Sequence, residues 1–167
     1  LFSLQDCHYI AMIEDDLKPI ERGWFEDYIE CSRLLNNHYF VRVQDKEIIE
    51  RIPNFTAYLK TKNYTPIYGP TPRGDLVILT SQVLRKVGAF NPLFKGAGHS
   101  HGNHANRVRK AGLISHPENP WIDIQEAQKK FVQIGDREGG RWEDDPNKIQ
   151  EQIQNNKAIS KKLKPNM

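Results

Sequence analysis

The sequence predicts an α/β fold, and three stretches carry that expectation. Tyr9-Ile10-Ala11-Met12-Ile13 is apolar throughout and too short for a helix, so it reads as a strand buried on both faces, as in the sheets of α/β proteins. Further on, Trp24, Phe25, Tyr28, Ile29, Ser32 and Leu35 recur at helical spacing and leave Glu26, Asp27, Glu30 and Arg33 outward, which predicts an amphipathic helix. Leu76-Val77-Ile78-Leu79-Thr80 then repeats the buried-strand pattern and leads into a second helix over Val83, Leu84 and Val87, capped by Thr80 or Ser81 and stopped by Gly88.

The first strand ends in three consecutive acids, Glu14, Asp15 and Asp16. In an open α/β sheet ligands bind beyond the carboxyl ends of the strands, which is where these acids stand. Their mutual repulsion is relieved by a hard cation with a preference for oxygen, so Mn²⁺ or Mg²⁺ is the cofactor they suggest. The same residues also read as a solvated acidic turn.

With 167 residues the chain suits one core, and 24 basic against 21 acidic residues, interspersed to a net charge of +3, give no basic stripe; nucleic acid is therefore not an expected partner. Cys7 and Cys31 have no metal-ligand spacing and read as free thiols, which suggests a reducing compartment. No apolar run approaches the roughly 20 residues that span a bilayer, and no signal peptide is visible. The expected location is cytoplasmic, with peripheral association at a membrane as an extension of that reading. Because the chain enters a buried strand almost at once, it is expected to be a piece of something longer.

The remaining elements follow in order. Asn36-Asn37 is a turn before a strand at Tyr39-Phe40-Val41-Arg42-Val43, and Lys46 to Arg51 reads as a short helix. From Pro53 to Pro72 the pattern is irregular; Tyr58, Tyr64 and Tyr68 either line a sugar or nucleobase site or pin the loop to the core. Gly96 and Gly98 precede a helix from about Gly102 to Ala111, on which His101, His104, Ala105 and Val108 share a face. Glycines there permit close backbone approach to a ligand, and the helix start favours an anion. Leu113 to His116 reads as a short strand, Glu126 to Val132 as helical, and Gly135 to Trp142 as a polar link. Asp145-Pro146 opens a final helix with Ile149, Ile153 and Leu163 on a thin apolar stripe, an arm that packs on the domain or on a partner.

Taken together, Tyr9-Ile10-Ala11-Met12-Ile13-Glu14-Asp15-Asp16-Leu17 followed by a Gly23-Trp24-Phe25 helix resembles the acidic metal motif of GT-A fold nucleotide-sugar glycosyltransferases. Gly74-Asp75-Leu76-Val77-Ile78-Leu79-Thr80, Lys86-Val87-Gly88-Ala89-Phe90-Asn91, Phe94-x-Gly96-x-Gly98 and Arg107-x-Arg109-Lys110-Ala111-Gly112 are similar in order and spacing to family-2-like members. The resemblance covers about Tyr9 to Leu113. It implies a partial Rossmann-like GT-A domain, a mixed sheet flanked by helices, with residues 1–123 as the C-terminal part of a catalytic domain and 124–167 as a polar, mainly helical extension.

The implied activity is metal-dependent transfer of a sugar from a nucleotide-diphosphate sugar to a hydroxyl of a sugar, lipid-linked or protein acceptor, as in polysaccharide biosynthesis. Asp16 and Glu14 are the implied metal residues, and Asp15, Trp24, Gly74, Asp75, Gly98 and His99 the substrate-binding ones. Trp24 equally suits a core position, because its area dominates packing. The sequence departs from the family where the helix after Phe94-x-Gly96-x-Gly98 usually begins with a carboxylate: Ser100 stands there, so His101 is the implied base, beside Ser100. The histidines 99, 101 and 104 also read as a zinc site or as polar caps, and His116 as a late metal histidine. The half that holds the nucleotide's base and ribose is absent before Leu1, so a missing N-terminal half or an oligomer partner is expected to complete the site. The alternative is a non-catalytic binding or interaction module derived from a truncated glycosyltransferase.

Overall fold

A computed structural model describes residues 7–43, 47–48, 63–69, 72–95, 98–116, 118, 121–134 and 145–163. Eight strands and five helices alternate through them: β1 (Tyr9–Ile13), β2 (Leu17–Pro19), α1 (Trp24–Leu35), β3 (Tyr39–Val43), β4 (Glu47–Ile48), β5 (Pro66–Tyr68), β6 (Pro72–Thr80), α2 (Ser81–Val87), α3 (Ser100–Lys110), β7 (Ile122–Ile124), α4 (Gln125–Gln128), β8 (Phe131–Gln133) and α5 (Pro146–Leu163). The α/β class is as expected, but the sheets are small and every described pairing is antiparallel: β1-β6-β3, β2-β8 and β4-β5-β7.

Period-two alternation builds the core around β6. Leu76 and Ile78 face one cluster with Phe40 of β3 and Tyr28, Cys31 and Leu35 of α1. Val77 and Leu79 face the other, with Tyr39 and Val41 of β3, Val83 of α2, and Ala105 and Val108 of α3. The central sheet is thus covered by helices on both faces. Each fully buried side chain of this size contributes about 1.5–3 kcal/mol relative to exposure. At the end of α1, Asn36 adopts the left-handed conformation and its N–H returns to the Ser32 carbonyl.

Several expectations change. β1 lies at an edge, with β6 its strand neighbour among the described residues; Met12 and Ile13 are 36% and 37% exposed, so the strand is not buried on both faces. An apolar run of five residues fits an edge strand with one packed face as well as a central one, and only pairing decides. Within the expected Lys46–Arg51 helix, Glu47–Ile48 is strand β4, held by pairing with Ile67 and Tyr68; the rest of that stretch lies outside the described residues. Leu113 to His116 is not a strand, because the Leu113 N–H caps α3 at the Val108 carbonyl while its own carbonyl accepts from His38. The expected 126–132 helix is short, and Phe131–Gln133 pairs with β2 instead. Ile122, Ile124, Ala127 and Phe131 belong to the first cluster, and β7 spans residues 122–124.

α5 forms as expected and packs on the domain. Gly135 to Trp142, Pro53 and Tyr58 lie outside the described residues. Cys31 is buried and Cys7 exposed, and both are free. Among the described residues no helix is long and apolar enough to cross a membrane.

The first cluster contains a buried polar pair, the Tyr28 hydroxyl donating to Asp123, whose carboxylate also accepts the Ile124 N–H at 2.8 Å. Removing a donor from a buried carboxylate costs more than an ordinary hydrogen bond contributes. Tyr28→Phe is expected to lower stability by about 1.5–3 kcal/mol, read as a lower urea midpoint at unchanged slope. An unchanged midpoint would show that the pair is not stabilising.

Candidate functional site

The site begins with a bulge. Val41 stands opposite Val77, yet Val43 stands opposite Pro72, so Arg73 to Leu76 of β6 face Arg42 alone on β3. Such an irregularity bends the strand and re-aims its side chains. Here it gathers charge. Asp75 Oδ2 takes Arg42 Nη1 at 3.0 Å and Arg73 Nη2 at 2.9 Å, with the carboxylate only 5% exposed. A buried carboxylate persists as an ion only when it is paired in this way.

The network continues to the acidic turn. Arg73 Nη2 donates to Gln133 Oε1 at 2.7 Å, and Gln133 Nε2 donates to Asp16 Oδ2 at 3.2 Å. The turn itself is fixed by backbone bonds: the Glu14 N–H reaches the Asp75 carbonyl at 2.9 Å, and the Leu17 N–H the Glu14 carbonyl at 3.2 Å. β8 holds the other side, since the Ile134 N–H donates to the Asp16 carbonyl at 2.8 Å. Glu14 and Asp15 are exposed at the tip, and Asp16 is half-buried.

His101 completes the arrangement from the opposite side. A Cβ placed on Gly74 would lie 2.5 Å from His101 Nε2, so the ring packs on the glycine backbone and no other residue fits there without moving it. Phe90 meets the ring edge-on at a centroid distance of 5.0 Å. Nδ1 is buried and has no hydrogen-bond partner among the described residues, and the same holds for Asp75 Oδ1. Burial lowers the His101 pKa, against an upward pull from Asp75. The imidazole is therefore biased toward its neutral form.

Other candidates are elsewhere. His104 is buried beneath Tyr39 and Phe90, with Nε2 at 2.9 Å from the Gly88 carbonyl, and burial lowers its pKa despite that bond. His99 is exposed at the start of α3 in the left-handed conformation. The three histidines thus take separate directions, and among the described residues no group of three His, Cys, Asp or Glu gathers to hold a metal. His116 meets the Tyr68 ring in a tilted contact at a centroid distance of 5.1 Å. Trp24 packs on Phe25 and Phe131 at 5.3 and 5.0 Å, a core-edge position. Tyr68 is buried, and the Tyr64 hydroxyl reaches Asp27 at 3.3 Å, so both described tyrosines of the irregular stretch tie it to the core. Gly98 has φ +84°, a Cβ placed on it would lie 3.4 Å from Ile153 Cγ1 of α5, and its carbonyl accepts from Asn156, so α5 packs against this position. Ser100 begins α3, its N–H on the Gly98 carbonyl at 2.9 Å.

Asp16, Glu14, Gly74, Asp75 and His101 thus converge, whereas Trp24 and Gly98 serve packing. Arg42, Arg73 and Gln133 link the group and were not singled out by sequence; Arg73, next to Gly74-Asp75, is the one that carried a signal. Compared with protein-family models, with characterised proteins and with solved structures, the chain matches none.

Two outcomes follow from the histidines. His38, lowered by burial and by Lys86, joins His101 and His104 in staying neutral when folded, whereas each binds a proton at about pH 6.5 when unfolded. The unfolded state then holds more protons, so stability present above about pH 6.5 is lost as pH falls toward the folded values. Melting temperature should decline over that interval, and less steeply in H101Q/H104Q. Separately, Gly74→Ala should displace the His101 ring, visible as a shift of its imidazole NMR resonances with the fold retained; unchanged resonances would contradict the packing.

Proposed function

We propose that the chain is the catalytic part of a glycosyltransferase that moves a sugar from a nucleotide-diphosphate sugar to an acceptor hydroxyl with the help of Mn²⁺ or Mg²⁺. One observation carries this reading. Asp16, Asp75 and His101 come from three separate motifs, yet they are joined through Gln133, Arg73 and Gly74 by contacts of hydrogen-bond or van der Waals length.

The residues suit a hard dication bound by few protein ligands. Asp16 and the exposed Glu14 offer only oxygen donors at the end of β1, and Mg²⁺ is commonly held by one or two carboxylates, with waters and substrate phosphates in its other positions. When bound, the ion supplies charge neutralisation for the diphosphate leaving group. Gln133 orients the Asp16 carboxylate by its amide, as outer partners of metal ligands do. Asp15, exposed beside them, is available to the donor's hydroxyls.

His101 is the proposed base. Its neutral ring would take the acceptor's proton at Nδ1, which is buried in this structure and so reacts only once the acceptor reaches it, as the acceptor oxygen bonds to the anomeric carbon and the sugar–phosphate bond breaks, its electron pair leaving with the nucleoside diphosphate. Gly74 sets the ring position and Asp75 stabilises the imidazolium that forms.

Asp16→Ala is expected to weaken Mn²⁺-dependent binding of uridine- or guanosine-diphosphate sugars by at least roughly 10–100-fold, the loss typical of disturbed metal sites, at unchanged melting temperature. Calorimetry giving equal metal-dependent affinity in both proteins would sink the reading. Metal-dependent binding without transfer to any acceptor would favour the binding-module alternative.

A further inference from the structure

A cleft of about 360 Å³ runs along α3, lined by His99, Asn103, Asn106, Arg109 and Lys110 of one helical stripe and by Ser160 of α5. These positions recur at three- and four-residue intervals, on the side of α3 away from the core-facing His104, Ala105 and Val108. Among the described residues the lining holds no carboxylate, and α3 itself contains none. Arg109 is a half-buried residue that makes no hydrogen bond or ion pair among the described residues. Arg107 differs, since its guanidinium is spent on the Val87 and Ala89 carbonyls at 2.7 Å each.

An arginine in a recess with no partner among the described residues has a planar donor fork that none of them occupies, and that fork matches the oxygens of a phosphoryl group. Lys110 adds a second cation on the same stripe. Asn106 and Ser160 add neutral polar groups, and the volume lies in the range of small-molecule sites. We propose that the α3–α5 cleft is a binding site for a phosphoryl group, with Arg109 and Lys110 as its cationic contacts. The site is separate from the one that includes Asp16 and does not depend on the transferase reading.

The test is calorimetric titration of the chain with inorganic pyrophosphate in a chelator, so that no metal-dependent site contributes. Saturable binding is expected, weakened about tenfold or more in R109M/K110M, which removes two charge-assisted contacts. The charge-matched control R33M/R85M, at exposed positions on α1 and α2, should keep the parent affinity. Asp16→Ala should also keep it, whatever becomes of the donor site. Glycerol 3-phosphate in solution and vesicles containing phosphatidic acid then separate the two sources of the ligand: binding of the first alone marks a free phosphate ester, and Arg109-dependent sedimentation with the second a lipid headgroup. Absence of saturable binding to all three probes overturns the proposal, as does an equal loss in the control pair.

Discussion

Both faces of β6 are packed from Leu76 to Leu79, so its backbone cannot turn to water and must be hydrogen bonded along both edges. β1 and β3 supply those bonds, each antiparallel to β6 and therefore running in the same direction as one another. From this follow the positions of the helices. Side chains alternate across the strand, so α1 covers the face of Leu76 and Ile78, and α2 with α3 the face of Val77 and Leu79. The acidic turn is carried by the same pairing, because Ile13 stands opposite Leu76 and the next bond joins Glu14 to Asp75.

Where that ladder loosens, charge enters. Burying Asp75 between Arg42 and Arg73 is of doubtful value to stability, since desolvation of each ion costs several kcal/mol and an apolar set of similar volume often serves as well. The arrangement also leaves one oxygen of Asp75 and one nitrogen of His101 buried without a partner among the described residues. Unsatisfied atoms of this kind are uncommon in native interiors and each calls for an explanation; the Tyr39 and Tyr68 hydroxyls of the two apolar clusters are others. What sets Asp75 and His101 apart is that they flank a bulge that also gathers Arg42 and Arg73.

Legibility in the sequence tracked pattern length. α1, α3 and α5 carry 11 to 18 residues of helical spacing, and β6 nine residues with a continuous apolar run, so each announces itself. β2, β7 and β8 have three residues each, too few for any period, and β7 places a buried aspartate between two isoleucines. Their pairing is a long-range property: Leu17 meets Gln133, and Pro66 meets Ile124. The site divides in the same way. Asp16 follows the apolar run of β1, Gly74 and Asp75 precede that of β6, and His101 opens α3, positions where local motifs are readable, whereas Arg42 lies inside the apolar run of β3 and Gln133 between the expected 126–132 helix and the 135–142 link. Nothing local indicates that Gln133 reaches Asp16, because the hydrogen bond spans 117 residues.

The final helix depends on a different kind of contact. Its apolar stripe is thin, and Ile149 is 36% exposed, yet Asn156 is buried to 2%. That amide binds Lys95 and Gly98: Oδ1 accepts the Lys95 N–H at 3.3 Å, and Nδ2 lies 2.9 Å from the Lys95 carbonyl and 3.1 Å from that of Gly98. Ile153 packs beside Gly98, within ordinary contact of where a Cβ on it would stand. Hydrogen bonds contribute about 0.5–1.5 kcal/mol each, which makes this a modest clasp and α5 an element able to open before the sheet does. Ser160 is the residue that α5 contributes to the α3 cleft. A ligand that bridges Ser160 and Arg109 has more contacts in the docked state than in the open one, and so must favour docking by that difference.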